Sequence, residues 1–192
     1  MRRVVLWMSV SVDGFFEGTG RELDWQTVDA ELHTHFNEVL AGMSAFLEGR
    51  VTYDLMEGFW PAADEDPQSP PPIVEFAGIW RAMPKVVYSR TLAQAGPNAT
   101  VVREVSVEQV EALKAGPGGD MALGGADVAD TFLRLGLVDE IRLYVHPVVL
   151  GRGRRLFHDA AAPVPLTLLE TRTFTSGVVL VRWAVGRSAA ST

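Results

Sequence analysis

The sequence predicts an α/β fold, with a mostly parallel central sheet, helices on both faces and an antiparallel C-terminal edge. Three observations carry this reading. Short β-rich apolar runs alternate with amphipathic helical patterns along the first two thirds of the chain. Glycine- and hydroxyl-rich punctuation falls where each strand gives way to a helix. Two late runs, 166–174 and 178–185, are joined by Thr175-Ser176-Gly177 as a hairpin.

Residues 4–12 are β-rich and alternate from Met8 onward, which predicts a first, mostly buried strand closed by the turn signal Asp13-Gly14. Residues 15–26 read as a loop. Over 28–41, Val28, Leu32, Phe36, Val39 and Leu40 recur at helical spacing opposite Asp29, Glu31, His33, Asn37 and Glu38. Ser44–Glu48 reads as a short strand, and Gly49-Arg50 turns into a helix running to about residue 58. Prolines at 61, 67, 70, 71 and 72 with acids at 64, 65 and 66 predict an exposed loop over 60–72, of a length often used for binding. A short helix at 73–82, strands at 85–88 and 100–104, and a helix at 107–114 opened by Ser106 and Gln109 follow. Asp120–Leu123 is a strand that runs into Gly124-Gly125. A helix at 126–135 ends at Gly136, and 140–149 is a further strand. The tail from Arg187 is small and polar and is expected to be loose. There is no internal repeat and no sign of a second domain, so residues 1–192 read as a single one.

Composition bounds the function. With 192 residues, 47% of them hydrophobic, the chain can build one core, burying roughly 70% of its unfolded surface. It has no cysteine, which excludes a disulfide framework, a zinc–thiolate site and a cysteine nucleophile, and fits a cytoplasmic location. A net charge of −7 disfavours nucleic acid as a partner. No apolar run approaches the ~20 residues of a membrane helix. The opening Met1–Met8 is basic then apolar, but Ser9, Ser11 and Asp13 interrupt it, so it reads as a strand rather than a leader.

Chemistry concentrates at three strand-to-helix or strand-to-loop junctions. Gly124-Gly125 before Ala126-Asp127 lets a ligand approach the backbone and offers it the free N–H groups of a helix start. The plainer alternative is a tight turn that needs glycine for geometry alone. Gly49-Arg50-Val51-Thr52 and Ser89-Arg90-Thr91 occupy equivalent positions, and ligands of open α/β sheets sit outside the carboxyl ends of the strands. Arginines, hydroxyls and a helix start suit a phosphate-bearing ligand. Each arginine alone reads equally as a solvated charge.

These junctions, in this order, resemble the dihydrofolate reductase-like superfamily. Gly124–Ile141 and Pro147–Phe157 look like the reductase domain of riboflavin biosynthesis, and Met8–Gly14 matches the same group, so the resemblance spans roughly 3–186. It implies a dihydrofolate reductase-like sheet of about eight strands and an NADPH-dependent reductase, commonly a homodimer. By resemblance, Arg50, Thr52, Ser89 and Arg90 hold the adenosine 2′-phosphate. Gly124, Gly125, Ala126 and Asp127 hold the pyrophosphate, Asp127 through its backbone N–H or as a helix-start carboxylate. The nicotinamide lies near the first strand and its turn, where Asp13 shapes the backbone. Reduction of C=N needs a proton donor. By resemblance this is Asp29, at the start of the first helix after Trp25, with Glu31 next in line. Its alternative is a carboxylate serving the helix end.

Other features weigh less. Gly151-Arg152-Gly153-Arg154-Arg155 could meet a phosphorylated substrate or be a solvated turn. His33-Thr34-His35 lacks metal-ligand spacing. Trp7, Trp80 and Trp183 read as core, Trp25 and Trp60 as pocket lining, and His146 as a satisfied core residue. There is no Gly-x-Ser-x-Gly elbow. The family's companion zinc deaminase is excluded by the absence of cysteine. The expected function is reduction of a small heterocyclic or ribosylaminopyrimidine-type substrate. The alternative is a non-catalytic NADP(H)-binding or sensing protein on the same scaffold.

Overall fold

Val4, Val5 and Leu6 have no exposed surface, and the strand they begin, β1 (Val4–Ser11), lies inside the sheet. The computed structural model describes residues 1–157 and 163–186. After β1 come β2 (Phe15–Glu17), α1 (Ala30–Leu40), β3 (Ala45–Gly49), α2 (Arg50–Glu57), a 3₁₀ turn at Trp60–Ala62 and α3 (Pro71–Ala82). Then follow β4 (Lys85–Tyr88), β5 (Ala99–Val102), α4 (Val107–Ala115), β6 (Met121–Gly124), α5 (Ala126–Arg134) and β7 (Glu140–His146). The last three are β8 (Arg154–Arg155), β9 (Leu166–Thr173) and β10 (Val179–Val185).

Eight strands make one sheet in the order β5-β4-β3-β6-β1-β7-β10-β9. Every pairing from β5 across to β7 is parallel, and β10 runs antiparallel to both β7 and β9. This is the parallel sheet with an antiparallel edge that the sequence predicts. Leu6, Leu47 and Leu123, register partners on β1, β3 and β6, face Val110 of α4 and Val128 and Phe132 of α5. Phe46 and Ala122 project to the other side, with Leu40 of α1 and Phe76 and Trp80 of α3. At the amino-terminal end of β7, the buried Glu140 carboxylate accepts hydrogen bonds from Arg3, Arg142 and Arg182. Charge at that rim is thus neutralised internally. No helix among the described residues is long and apolar enough to cross a membrane.

The structure differs from the sequence reading chiefly at β2 and at the start of α3; in addition Trp60–Ala62 form a 3₁₀ turn and β7 ends at His146. Residues 15–17 are not loop but a strand, β2, paired antiparallel with β8. Pro71 and Pro72 belong to the first turn of α3 rather than to the preceding loop. Proline fits there because first-turn N–H groups have no helical acceptor. The expected loose tail from Arg187 lies outside the described residues.

Helix starts fall into two kinds. Asp29 caps α1, its Oδ1 accepting from the Leu32 N–H at 2.9 Å, and Ser106 caps α4 through the Gln109 N–H at 3.3 Å. Helix α3 opens on prolines without a side-chain cap, and α2 and α5 begin at Gly49 and Gly125, again without one. Their first N–H groups are left for another acceptor.

Candidate active site

The parallel register sets Glu48 beside Gly124, Gly49 beside Tyr88, and Tyr88 beside Val102. Four strands therefore end along one line, and a cavity of about 1180 Å³ opens there. Arg50, Thr52, Ser89, Arg90, Gly124, Gly125, Ala126 and Asp127 all line it. The three junctions picked out in the sequence thus meet around one space, at the carboxyl ends of the strands.

The rim presents groups of the kind that suit an anion. The uncapped starts of α2 and α5 both border the cavity, each with the partial positive charge of a helix N-terminus. Gly125 has φ +98, and a Cβ added there would lie 2.8 Å from Thr52 Oγ1. Among the described residues the Gly125 N–H has as partner only the sulfur of Met8 at 3.4 Å, a weak acceptor. Ser89 Oγ accepts from the N–H groups of Thr91 and Leu92 at 3.3 and 2.9 Å, which fixes the turn and leaves its own proton to give. Arg50 is exposed and pairs with Asp54 at 2.7 Å, whereas Arg90 makes no side-chain hydrogen bond or ion pair among the described residues. Arg103, also on the cavity, is held by the carbonyls of Ser89 and Leu92 at 3.1 and 2.7 Å.

Beyond this rim the cavity becomes an aromatic chamber containing Trp7, His33, Phe36, Phe46, Trp60 and Phe76. Trp60 meets Phe76 edge-on at 4.4 Å and His33 at 5.8 Å. Burial holds the His33 imidazole below its usual range, with Glu75 opposing. Glu48 also lines this part of the cavity although it is 4% exposed. Burial pushes its carboxyl group up to about 8; Lys85 opposes this and Glu57 adds to it. Such walls hold flat, largely uncharged ligands, with a few polar groups fixing orientation.

Several expected residues go elsewhere. Asp29 is not brought to the cavity: its carboxylate is engaged by the first turn of α1, the helix-end role. Glu31 accepts from the N–H and hydroxyl of Thr175, also away from the cavity. Asp13 accepts from the Ser11 hydroxyl and from the N–H groups of Leu150 and Gly151, which clamps two turns together. Asp127 pairs with Arg154 at 2.9 Å, and Arg154 also binds the buried Glu17 at 2.8 Å. One arginine of the basic cluster is therefore a strut on the cavity wall. Trp7 lines the chamber rather than only filling the core, and Trp25 packs on His146 at 5.5 Å outside it. His33 faces the cavity while His35 bonds Tyr144 at 3.2 Å, so the pair does not converge, and no group of metal ligands exists among the described residues.

The RibD C-terminal domain family matches residues 2–180. The chain belongs to that family. Among curated proteins it is similar to the uncharacterized protein YyaP of Bacillus subtilis strain 168, at 39% identity over 94% of this chain and 93% of YyaP. Among solved structures it is similar to a protein from Shewanella sp. PV-4 provisionally assigned to riboflavin biosynthesis. That likeness has a TM-score of 0.73 and 19% identity, and covers 97% of this chain and 100% of that one. A second likeness is to the diaminohydroxyphosphoribosylaminopyrimidine deaminase/5-amino-6-(5-phosphoribosylamino)uracil reductase of Thermotoga maritima. It has a TM-score of 0.65 and 18% identity, and covers 96% of this chain but only 57% of that one. At such identities the structures show the fold, which is dihydrofolate reductase-like.

Among the cavity residues of this RibD-type domain that the sequence reading did not single out are Glu48 and Arg103. Glu48 carries a signal in hindsight, since it is an acid closing the apolar strand Ala45-Phe46-Leu47 directly before the Gly49-Arg50 junction.

Proposed function

We propose that the protein is an NADPH-dependent reductase of a small, flat heterocycle of the ribosylaminopyrimidine type. One observation carries this reading: eight residues from three separate junctions, with two uncapped helix starts, border one cavity that continues into an aromatic chamber. The donor set fits NADPH. Arg50, Thr52, Ser89 and Arg90 suit its 2′-phosphate, and the backbone N–H groups from Gly124 to Asp127 suit its pyrophosphate. Gly125 supports the fit, because its cradle has no room for a side chain. When bound, NADPH supplies a hydride. The chain's own residues hold the phosphates at the rim, orient a planar substrate between aromatic rings and keep water from the reacting centre.

The reading includes a homodimer. All eight residues of β9, an edge strand, are exposed, among them Leu166, Leu168 and Leu169. Such an edge calls for cover, which a second copy would provide.

Titration of NADPH and NADH against tryptophan fluorescence tests the cofactor assignment. Arg50→Ala and Arg90→Ala are expected to weaken NADPH roughly tenfold or more while changing NADH little. Equal losses for both would remove the 2′-phosphate role, and no saturable NADPH binding by the folded protein would remove the reductase reading. The capping role of Asp29 favours a second reading, a non-catalytic NADP(H) sensor, which would bind NADPH without turnover.

A further inference from the structure

We propose that Glu48 is the proton donor of this site, its carboxylic acid hydrogen-bonded to a ring or imine nitrogen of a flat heterocycle in the aromatic chamber. The inference rests on the reductase reading above and assigns its missing acid.

Placement comes first. Glu48 is the last side chain of β3 before Gly49, and strand alternation sets it on the same face as Phe46, toward the chamber. Its neighbour on β6 is Gly124, which has no side chain to cover it; Glu48 Cγ lies 4.0 Å from where a Gly124 Cβ would stand. The residue is therefore buried by its surroundings yet borders the cavity.

Its hydrogen bonding is unfinished. Among the described residues neither carboxyl oxygen has a partner, and Oε2 is sealed from solvent without one. Buried polar groups in folded proteins are normally paired, so an orphan is a feature to be explained. Lys85, the nearest cation on β4, does not complete it, because its Nζ donates to the carbonyls of Trp80 and Met83. Glu57, from α2, donates nothing and accepts from Trp80 Nε1 at 3.0 Å. Among the described residues none donates a hydrogen bond to the Glu48 carboxyl group, so an ionised carboxylate there would have only the charge of Lys85 to offset its burial. The neutral acid is the resting form, with an O–H to give to an acceptor.

The other titratable groups on the cavity are poorly suited. Burial lowers the His33 imidazole below its ordinary value, which disfavours the cationic form that would serve as an acid. Tyr88 is pushed up to about 12 by burial and is a weak acid. Glu17 and Asp127 are paired with Arg154, and Glu104 is exposed rather than buried. Glu48 alone combines a neutral acid, burial and an open acceptor position.

The step balances. The O–H bond of Glu48 breaks as an N–H bond forms on the substrate. The π pair of C=N moves to nitrogen while the carbon receives the hydride that NADPH supplies. NADPH, if bound, would supply the hydride and with it the two electrons that reach the substrate, and the Glu48 carboxylate regains its proton from solvent. An acid near pH 8 is close to the operating range that general acid catalysis favours.

The test compares wild type, Glu48→Gln and Glu48→Asp in three measurements. These are NADPH affinity by fluorescence, turnover of 5-amino-6-(5-phosphoribosylamino)uracil and of 7,8-dihydrofolate, and carbon-13 NMR of the glutamate carboxyls. E48Q is expected to bind NADPH as wild type does, to lose roughly 100-fold or more in kcat, and to lose the decline in rate above about pH 8. E48D should recover part of the rate, and the wild-type spectrum should hold one carboxyl that titrates near pH 8 and is missing from E48Q. E48Q turning over at the wild-type rate with the same pH profile would overturn the proposal. So would a Glu48 carboxyl titrating near the ordinary ~4.3, a result independent of turnover or of the variant's folding. In both cases retained NADPH binding would leave the reductase reading standing. Wild-type protein that does not bind NADPH would overturn both.

Discussion

Thr52 Oγ1 and the backbone of Gly125 share one small space: a Cβ on the glycine would come within 2.8 Å of the hydroxyl oxygen. Gly125 also needs φ +98, which side-chain-bearing residues adopt only with strain. Gly125→Ala is therefore expected to destabilise the protein by about 1–3 kcal/mol. It should also displace Thr52 from the rim, with at least about tenfold weaker NADPH binding. Gly124→Ala is the control. Its Cβ would meet Thr52 Cγ2 at 3.6 Å and Glu48 Cγ at 4.0 Å, which are ordinary contacts, and its φ is unexceptional. Thermal denaturation should rank Gly124→Ala well above Gly125→Ala; equal losses would mean that crowding against Thr52 is not what selects glycine.

Asp29→Ala separates the two roles open to that carboxylate. As the N-cap of α1 it accepts from the Leu32 N–H at 2.9 Å. Removing such a cap costs about 1 kcal/mol. Urea denaturation should show this loss, while NADPH affinity and kcat stay within about twofold of wild type. A large fall in kcat at unchanged stability would instead restore Asp29 as the proton donor.

The difference between what the sequence showed and what it hid follows the range of the forces involved. Gly49-Arg50, Ser89-Arg90 and Gly124-Gly125 were legible because a strand that ends and a helix that starts are local patterns, and a parallel sheet brings their junctions to one side. Asp29 is ambiguous in the sequence because a cap and a catalytic acid require the same residue type at a helix start. Glu48 reads locally as the polar end of a short strand. Its burial depends on β4 and β6 flanking β3 and on the missing side chain at Gly124, none of which is near in sequence. The β2–β8 pair was hidden for the same reason. Its strands are three and two residues long and more than a hundred positions apart, too short for periodicity to show.

Arg154→Met should act through its two carboxylates. Arg154 binds Glu17 at 2.8 Å and Asp127 at 2.9 Å, tying β2 and β8 to the start of α5. Glu17 is buried, so losing its cation leaves a carboxylate poorly solvated; Arg154 is partly exposed, and water moderates the loss. The expected cost is about 1–2 kcal/mol in denaturant unfolding. NADPH binding should weaken severalfold as well, because the Asp127 carboxylate beside the pyrophosphate position loses this counter-charge. Unchanged NADPH affinity would confine Arg154 to a structural role.

The buried Glu48 acid has a thermodynamic signature that needs no ligand. Its ordinary value of 4.5 applies to the unfolded chain and about 8 to the folded one. Between these values the folded protein keeps a proton that the unfolded chain has released. Unfolding then releases a proton, so stability falls as pH rises through this window. The total is on the order of a few kcal/mol at most. His146 has the opposite sign: burial lowers it from 6.5 to about 4, so its contribution is lost as pH falls through that range. Glu48→Gln leaves His146 untouched, and the difference between the two proteins isolates Glu48. Measured by urea unfolding from pH 5 to pH 8, wild-type stability should decline relative to E48Q steadily across the interval. A constant difference would mean that Glu48 ionises at an ordinary pH in the folded protein, leaving the chamber without a neutral acid.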